Sequence, residues 1–432
     1  MKINRIIFPA ALFILVMWFP FVNENAQQKL VNTGHLNNLY EEIYVGGKEL
    51  GIIHIYCEYP DYKLVGDSDE GISCVDDVAR AAIFYMNHSW QYNDSLASHK
   101  AAKLIEFILH MQSENGFFYN FIFADYSINK THQNSIAQAN WWSWRALWAL
   151  TESYSFFKTS DKDLSCRIKS SIEKVVAAIK NNFRHEKTFV DLNGFNRPAW
   201  LPNQYASDQA ALIVITLSKY KSLFADDSVL TLINDFCEGI MSMQEGSEKE
   251  FPYHAFMSWE NSWHAWGNSQ AYSLLCAYEI TGNNKYLKAA TNEINYFYKY
   301  LLREKFFNEF SIKKENGKTV LDSENKFSQI AYGIRPMVYA SLKAAELTND
   351  KTYSLLAAEI ATWFFGNNPA NAKMYFEQTG ICFDGIVNEK EVNKNSGAES
   401  TIEALLTILS IEGDSRASCK LNEMIKEKGK LK

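Results

Sequence analysis

The 432-residue sequence predicts an all-α fold, an (α/α)6 toroid in which six helical hairpins form an inner and an outer ring of helices. Apolar residues recur at helical spacing along most of the chain, and strand patterns are nearly missing after residue 60. The helical segments fall into six pairs with short polar connections. The first member of each pair is the more apolar, as expected of a buried inner ring beside a solvated outer ring. The alternative is an open array of helical repeats.

The six pairs follow one another along the chain, and polar residues mark their turns. Residues 91–94 separate the members of the first pair, and Thr281-Gly282-Asn283 is a helix stop signal in the fourth. Before the first pair, residues 44–59 form a short strand or a segment that packs on the ring. The predicted helices cover residues 75–90 and 98–112, 138–156 and 163–182, 204–220 and 228–243, 263–280 and 284–302, 327–347 and 351–365, and 398–411 and 415–427.

The first residues of the chain have the pattern of an export signal. Lys2 and Arg5 precede an apolar run over residues 6–21, which is short for a membrane span. We expect cleavage after Ala26, the alternative being an uncleaved anchor. The chain then divides into a signal peptide (1–26), an N-terminal extension that packs on the ring (27–64) and the toroid domain (65–432). The mature protein is expected in the periplasm or outside the cell, without stable membrane insertion.

Composition narrows the choice of ligand. The chain has 11 Trp, 23 Tyr and 28 Phe, a surplus that suits stacking on flat, partly apolar ligands such as sugar rings. A formal charge of −7 argues against nucleic acid as a partner, because that role needs a basic face. The seven cysteines show no CxxC spacing and no Cys/His cluster, so we expect no structural zinc site. We also expect no other metal and no cofactor. One or two disulfides are compatible with an oxidising compartment, while Cys166, Cys237 and Cys276 are expected to be buried.

The starts of the inner helices carry polar and aromatic side chains. Consecutive antiparallel hairpins point all inner helices the same way, so these starts meet on one face of the ring. Such a mixture suits a polyhydroxylated ligand, since rings stack on sugar faces and polar groups bond the hydroxyls. The alternative is that these residues are helix caps and core aromatics. The candidate ligand-binding residues are Trp141, Trp144, Tyr205, Trp263, His264, Asn268, Gln270, Tyr332 and Arg335.

Carboxylates at the same helix starts are candidates for catalysis. Glycosidic bonds are broken by an acid that protonates the leaving oxygen and a base or nucleophile on the opposite side. A helix N-terminus favours an ionised carboxylate, so Asp76 or Asp77 suits the second role. Asp76 can pair with Arg80 four residues later, which would leave Asp77 free to face the lumen. Glu399 is the candidate acid, its alternative being a capping-box Glu behind Ser396. Asp208 is the alternative candidate for either role.

Two segments resemble carbohydrate-active members of the six-hairpin glycosidase superfamily. One is CVDDVARA at 74–81; the other is GNNPA at 366–370 followed by FDGI at 383–386 and NSGAEST at 395–401. The resemblance covers about residues 65–430 and implies saccharide binding across the mouth of the ring. We therefore expect a glycoside hydrolase acting on an oligo- or polysaccharide.

Two other functions stay open at this point. A polysaccharide lyase needs cationic groups beside its substrate, whereas Arg145, Arg197 and Arg335 are few and scattered along the sequence. The third possibility is a saccharide-binding protein without catalytic activity.

Overall fold

The computed structural model describes residues 29–183 and 186–430, and the predicted signal peptide lies outside them. Thirteen α-helices dominate the described chain, and the strands form only small hairpin sheets. The helices are α1 (Gly34–Leu39), α2 (Val75–Tyr92), α3 (Ser95–His110), α4 (Trp141–Phe157), α5 (Lys162–Asn182), α6 (Ser207–Phe224), α7 (Leu230–Ser242), α8 (Gln270–Thr281), α9 (Asn284–Arg303), α10 (Arg335–Thr348), α11 (Thr352–Ala361), α12 (Ala398–Gly413) and α13 (Ser415–Lys430).

All strand pairings are antiparallel, and most join short segments before the inner helices. The strands are β1 (Tyr40–Val45), β2 (Lys48–Ile53), β3 (Tyr56–Glu58), β4 (Lys63–Val65), β5 (Ser73–Cys74), β6 (Phe121–Ile122), β7 (Phe189–Leu192), β8 (Phe195–Pro198), β9 (Gln244–Glu245), β10 (Ala255–Phe256), β11 (Ser262–His264), β12 (Glu309–Glu315), β13 (Lys318–Asn325), β14 (Tyr375–Phe376), β15 (Ile381–Cys382), β16 (Gly385–Asn388) and β17 (Glu391–Asn393).

The even-numbered helices α2 to α12 form a closed inner ring. Each packs against the next, and α12 returns to pack against α2. The odd-numbered helices α3 to α13 lie outside, and each packs against its inner partner. Inner helices are buried over most of their surface, as in α6, where thirteen of eighteen residues are buried. The predicted closed ring of six hairpins is therefore confirmed, and the open array is excluded by the contact between α12 and α2.

Several inner helices begin later than the sequence pattern suggests. The fourth starts at Gln270, because residues 262–264 pair with β12 and residues 265–267 form a 3-10 turn. The fifth starts at Arg335 with Pro336 in its first turn, where the fixed φ of proline suits a helix start and its missing N–H is not needed. The displaced residues form a short strand and 3-10 turns that precede the two helices.

One substantial hairpin contradicts the expectation of almost no strand after residue 60. Strands β12 and β13 pair over seven to eight residues each. Asn316 and Gly317 connect them with φ of 51° and 78°. An Asn-Gly pair favours this type of two-residue turn because both positions need positive φ. The sequence contains this turn signal. The strands on either side are largely polar, so the apolar pattern did not reveal them.

The N-terminal extension packs on the ring and reaches its mouth. The β1–β2 hairpin lies against α3, with Ile52 and Ile53 fully buried. The Ile55 carbonyl accepts a 2.9 Å hydrogen bond from the Ala398 N–H at the start of α12. The Cys57 carbonyl accepts another from Ser396, at 3.0 Å. The extension thereby forms part of the wall around the first turn of α12.

The seven cysteines are all free thiols. Cys237 is buried as expected, but Cys276 is half-buried and Cys166 is exposed on α5, so the expectation for Cys166 is wrong. Helical periodicity alone did not distinguish the two faces of that amphipathic helix. Within residues 29–183 and 186–430, no helix is long and apolar enough to cross a bilayer.

Candidate active site

Arg80 joins the starts of α2 and α12 at the mouth of the ring. It is completely buried on α2, where desolvation has to be offset by opposite charge. Four carboxylates supply that charge. The guanidinium lies 3.1 Å from Asp76, 2.6 Å from Asp77, 3.3 Å from Glu399 and 2.7 Å from Glu403. Acids more than 300 residues apart in the chain are thus neighbours in space, as the convergence of helix starts predicts.

Two further arginines extend this cluster. Arg145 on α4 pairs with Asp76 and donates a 2.5 Å hydrogen bond to the Tyr332 hydroxyl. Arg335 on α10 pairs with Glu403 at 2.5 Å. The guanidinium carbons of all three arginines lie 4.7 to 5.6 Å from the centre of the Tyr332 ring. The ring closure therefore gathers Arg145 and Arg335, which the sequence shows as scattered.

Arg197, the third arginine considered from the sequence, lies outside the cluster around Arg80. Arg197 pairs with Glu245 at 2.9 Å, and its guanidinium also donates to the Asn261 side chain. Neither partner belongs to the cluster around Arg80. Arg145 and Arg335 are thus separated in the sequence but belong to one cationic cluster in the fold, whereas Arg197 does not.

Asp76, rather than Asp77, faces the mouth. Asp77 is buried; its Oδ2 accepts from the Cys74 thiol at 3.2 Å, and burial raises the pKa of its carboxyl. The Asp76 side chain is 20% exposed, and its Oδ1 has no hydrogen-bond partner in the described chain. The sequence argument freed Asp77 by pairing Asp76 with Arg80, but the arginine reaches both. The expectation that Asp77 faces the lumen is therefore wrong.

Glu399 protrudes into a cavity of about 320 Å³ at the mouth. Ile55 and Tyr56 of the extension and Asp384 share its lining. The Glu399 side chain is 42% exposed. Desolvation by the surrounding helix ends nevertheless raises the pKa of its carboxyl group to about 7. Arg80 acts in the opposite direction, but its contacts at 3.3 and 3.4 Å are long because stronger pairs occupy it. Glu399 is thus a carboxyl group poised between its two protonation states near neutral pH.

The capping-box alternative for Glu399 does not hold. Asp384 accepts hydrogen bonds from the Gly397 N–H at 2.8 Å and from the Ser400 hydroxyl at 2.6 Å. This aspartate, which lies in the FDGI segment, therefore ties down the start of α12. Glu399 therefore does not cap this helix.

A second acid–base pair lies at the start of α6. Asp208 is buried, and its Oδ2 lies 3.1 Å from Nε2 of His264. The imidazole stacks on Trp266 with ring centres 4.1 Å apart. Donation from Nε2 to the carboxylate leaves the lone pair on Nδ1, which has no hydrogen-bond partner among the described residues. Asp208 therefore orients His264 and does not itself reach the lumen.

Gly267 makes this pair possible. A Cβ at that position would lie 2.4 Å from the imidazole and 2.8 Å from the Asp208 Cβ. Contacts that short do not occur, so any side chain there would push His264 and Asp208 apart. The close packing thus selects glycine independently of φ.

Several predicted ligand-binding residues belong to the core instead. Trp144 and Trp263 are fully buried, and Trp144 donates to Gln209. Asn268 donates to the Gly333 carbonyl and Gln270 to the Ser207 hydroxyl, which tie neighbouring helix starts together. These four assignments are corrected, because a ring of helix starts needs its own packing and hydrogen bonds.

The other predicted ligand-binding residues occupy intermediate positions. Tyr205 is buried and adopts a positive φ of 56°. Trp141 is half-buried, and the centre of its ring lies 5.6 Å from the guanidinium carbon of Arg145. Tyr332 and Arg335 lie in the buried cluster and support Arg145 and Glu403.

Sequence reasoning missed three residues at this site. Trp266 was not among the predicted ligand-binding residues, although it stacks on His264. Its segment is rich in aromatic and polar residues, and that composition was a usable signal. Tyr56 and Asp384 line the cavity around Glu399. Nothing local in the sequence marks Tyr56, because only the folded extension brings it there.

No group of three or more His, Cys, Asp or Glu side chains in the described part of the chain is placed to hold a metal ion. The carboxylates of the mouth are held instead by arginines. Arg80 and Arg145 are therefore the local sources of positive charge.

The fold is shared with several solved proteins. A sugar epimerase from a ruminal bacterium superposes with a TM-score of 0.63 at 12% sequence identity, covering 90% of this chain and 98% of that one. This chain has the six-hairpin toroid fold. The toroid also resembles a cellobiose 2-epimerase from Bacillus thermoamylovorans, with a TM-score of 0.58 and 12% identity over 88% of this chain and 96% of that one.

A family 76 glycoside hydrolase from a bovine Bacteroides thetaiotaomicron strain has the same fold. Its TM-score is 0.56 at 12% identity, covering 88% of this toroid and 76% of that chain. No protein-family model and no curated protein matches the sequence. At this level of identity the comparisons establish the architecture, and the chemistry has to be argued from the side chains.

Proposed function

We propose that this toroid is a carbohydrate-active enzyme that uses Glu399 as a proton donor at the mouth of the ring. The proposal depends mainly on the state of Glu399. Its half-exposed carboxyl group has a pKa raised to about 7 and lies in a cavity beside a buried arginine–carboxylate cluster. A general acid works best when its pKa lies near the working pH. The similarly folded proteins named as a sugar epimerase and a glycoside hydrolase support a sugar as the ligand. From the predicted export signal we propose that the enzyme acts outside the cytoplasm.

Hydrolysis of a glycosidic bond is the first candidate reaction. Glu399 would protonate the leaving oxygen, and Asp76, whose side chain is 20% exposed, would act as base or nucleophile from the other side. One nitrogen of Arg80 contacts both carboxylates, so these contacting oxygens are within two hydrogen-bond lengths of each other. Retaining glycosidases hold their carboxyl groups about 5–5.5 Å apart, which leaves no room for a water between them. The anomeric configuration of the product therefore reports which separation the two carboxyl groups adopt around the substrate.

Epimerisation or isomerisation of a sugar is the second candidate, and the His264–Asp208 pair favours it. Such reactions move a proton at a carbon beside a carbonyl group, so they need a base and an acid. His264 offers an imidazole that is oriented by Asp208 and whose side chain is 13% exposed, and Glu399 offers the acid. Arg80 and Arg145 would stabilise the negative charge that develops on oxygen.

The test compares the full chain with its Glu399→Gln variant on a panel of oligosaccharides. Hydrolysis creates new reducing ends, and NMR during the first turnovers gives the anomeric configuration of the product. Epimerisation or isomerisation leaves the mass unchanged in water and incorporates deuterium at carbon in D2O. We expect the variant to lose at least about 100-fold in kcat, because a positioned general acid contributes about 10²–10⁴-fold.

Glu389→Gln is the matched control, since Glu389 is an exposed glutamate in the β16–β17 turn. It makes the same chemical change without touching the mouth and should leave kcat unchanged. Full activity of folded Glu399→Gln would refute the role of Glu399. Saccharide binding without turnover by the unaltered chain would instead identify a binding protein.

A further inference from the structure

A cleft of about 340 Å³ lies on the outer side of the ring, away from the inner helix starts. It is bounded by the β1–β2 hairpin of the N-terminal extension and by the outer helices α3 and α5. Lys48, His110, Arg167, Ser171 and Lys174 contribute to its lining. None of these residues belongs to the candidate active site.

The charge of this outer cleft is positive, in a chain whose formal charge is −7. Its acidic group, Glu106, is already neutralised by Arg167, whose Nη1 lies 2.6 Å from the carboxylate. Lys48 and Lys174 have no acidic partner among residues 29–183 and 186–430. Two ammonium groups therefore face the same space without counter-charge from the described chain.

A buried hydroxyl stands beside these charges. Ser171 is only 3% exposed, and its Oγ makes no hydrogen bond within the described structure. The neighbouring amide of Gln112 is already used, because it donates to the carbonyls of Gly116 and Ser171. An unpartnered buried hydroxyl costs free energy unless a ligand or water completes it. The Ser171 hydroxyl thus lies unsatisfied in the wall of the cleft, beneath its accessible surface, and the two lysines supply the unused charges.

We propose that this outer cleft binds a phosphate group, free or carried on a sugar. Two lysines supply point charges that match a charge of −2, a common use of lysine in phosphate binding. The His110 ring lies in the same lining, and a turn of the Ser171 side chain toward the cleft would let its hydroxyl donate to one oxygen. A neutral sugar would leave both ammonium groups without a counter-charge, so the anion is the favoured occupant.

The experiment titrates the full chain with inorganic phosphate and glucose 6-phosphate. Binding is followed by calorimetry and by NMR of the lysine side chains, at ionic strength held constant with chloride so that screening does not vary. We expect saturable binding in the millimolar range or tighter. The Lys48→Gln/Lys174→Gln variant should bind at least about tenfold more weakly, which corresponds to about 1.4 kcal/mol. Ser171→Ala should lose a smaller factor.

Lys288→Gln/Lys351→Gln is the matched control, because it removes the same charge from two exposed lysines outside the cleft. Its affinity should equal that of the unaltered chain. Equal weakening in both double variants would reduce the effect to net charge and overturn the proposal, as would the lack of saturable binding. Tighter binding of glucose 6-phosphate than of inorganic phosphate would identify a sugar-borne anion, and equal binding would identify the free ion.

Discussion

Arg80 is the residue on which the mouth depends. Its side chain is buried and holds Asp76, Asp77 and Glu403 as well as Glu399. Removing one partner from such a cluster leaves uncompensated charges in a poorly solvated place. The local sequence predicted one of these pairs, the i, i+4 contact with Asp76. The contacts with α12 depend on how the ring closes, which no local pattern encodes.

We expect Arg80→Gln to destabilise the protein by about 3–5 kcal/mol, the usual cost of breaking a buried ion pair. Chemical denaturation followed by circular dichroism measures this change. The matched variant Arg167→Gln breaks a more exposed pair with Glu106 and should cost about 1 kcal/mol or less. An equal effect of the two substitutions would show that the cluster contributes no special stability.

Glu293 on the outer helix α9 is a buried acid that does not belong to the mouth. Its side chain accepts a 2.9 Å hydrogen bond from the Phe256 N–H, and Oε2 has no partner in the described chain. Burial raises its pKa from 4.5 to about 8. Because the folded pKa is the higher one, the stabilising contribution of protonated Glu293 is complete below pH 4.5 and is lost as the pH rises towards 8.

The free energy of unfolding should therefore fall between pH 4.5 and 8 by more in the unaltered protein than in Glu293→Gln. Each pH unit in this window contributes about 1.4 kcal/mol, and the amide resembles the protonated acid without titrating. Urea denaturation at both ends of the window measures the difference. Exposed Glu114→Gln should follow the unaltered protein. Parallel curves for all three chains would contradict the shifted pKa.

At the level of elements, short strands before the inner helices position the mouth. Gly71 precedes β5, which pairs with β6 and leads directly into α2. Its φ is +126°, and a Cβ there would lie 1.9 Å from the Ile122 carbonyl oxygen. Periodicity analysis extends helices into such segments because polar and aromatic residues fit either structure. This explains why the predicted starts of α8 and α10 were too early.

Gly71→Ala is expected to destabilise the protein by about 3 kcal/mol or more, because it combines an unfavourable φ with a clash against backbone. Gly282→Ala is the matched control. That glycine also has positive φ, +67°, but no atom lies within 4 Å of its Cβ position, so about 1 kcal/mol is expected. Thermal or urea denaturation of the two variants tests the difference. Similar losses would show that the close approach at Gly71 relaxes without cost.

For the whole molecule, closure of the ring is the decisive feature. The contact between α12 and α2 is reinforced by the ion pair between Arg80 and Glu403 across it. Inner helices packed on both sides leave no free end to the ring. An open repeat array would instead have two capped ends and tolerate the loss of a terminal repeat.

A chain that ends at residue 397 should therefore fail to fold, because it would expose the buried faces of α2 and α10. Circular dichroism and sedimentation would show lost helicity and aggregation, compared with the full chain prepared alongside. A soluble, monomeric fragment that unfolds cooperatively and keeps five-sixths of the helical signal would favour independent hairpins.

The sequence by itself determined the number of hairpins, the order of inner and outer helices, and the concentration of polar residues at the inner helix starts. These features follow from local periodicity and from turn residues, which act over a few positions. Only the tertiary structure decided that Asp76 and not Asp77 faces the mouth, that three arginines converge on Tyr332, and that Trp144 and Trp263 belong to the core. Such outcomes depend on contacts between residues hundreds of positions apart, where burial and charge pairing select one side chain over its neighbour.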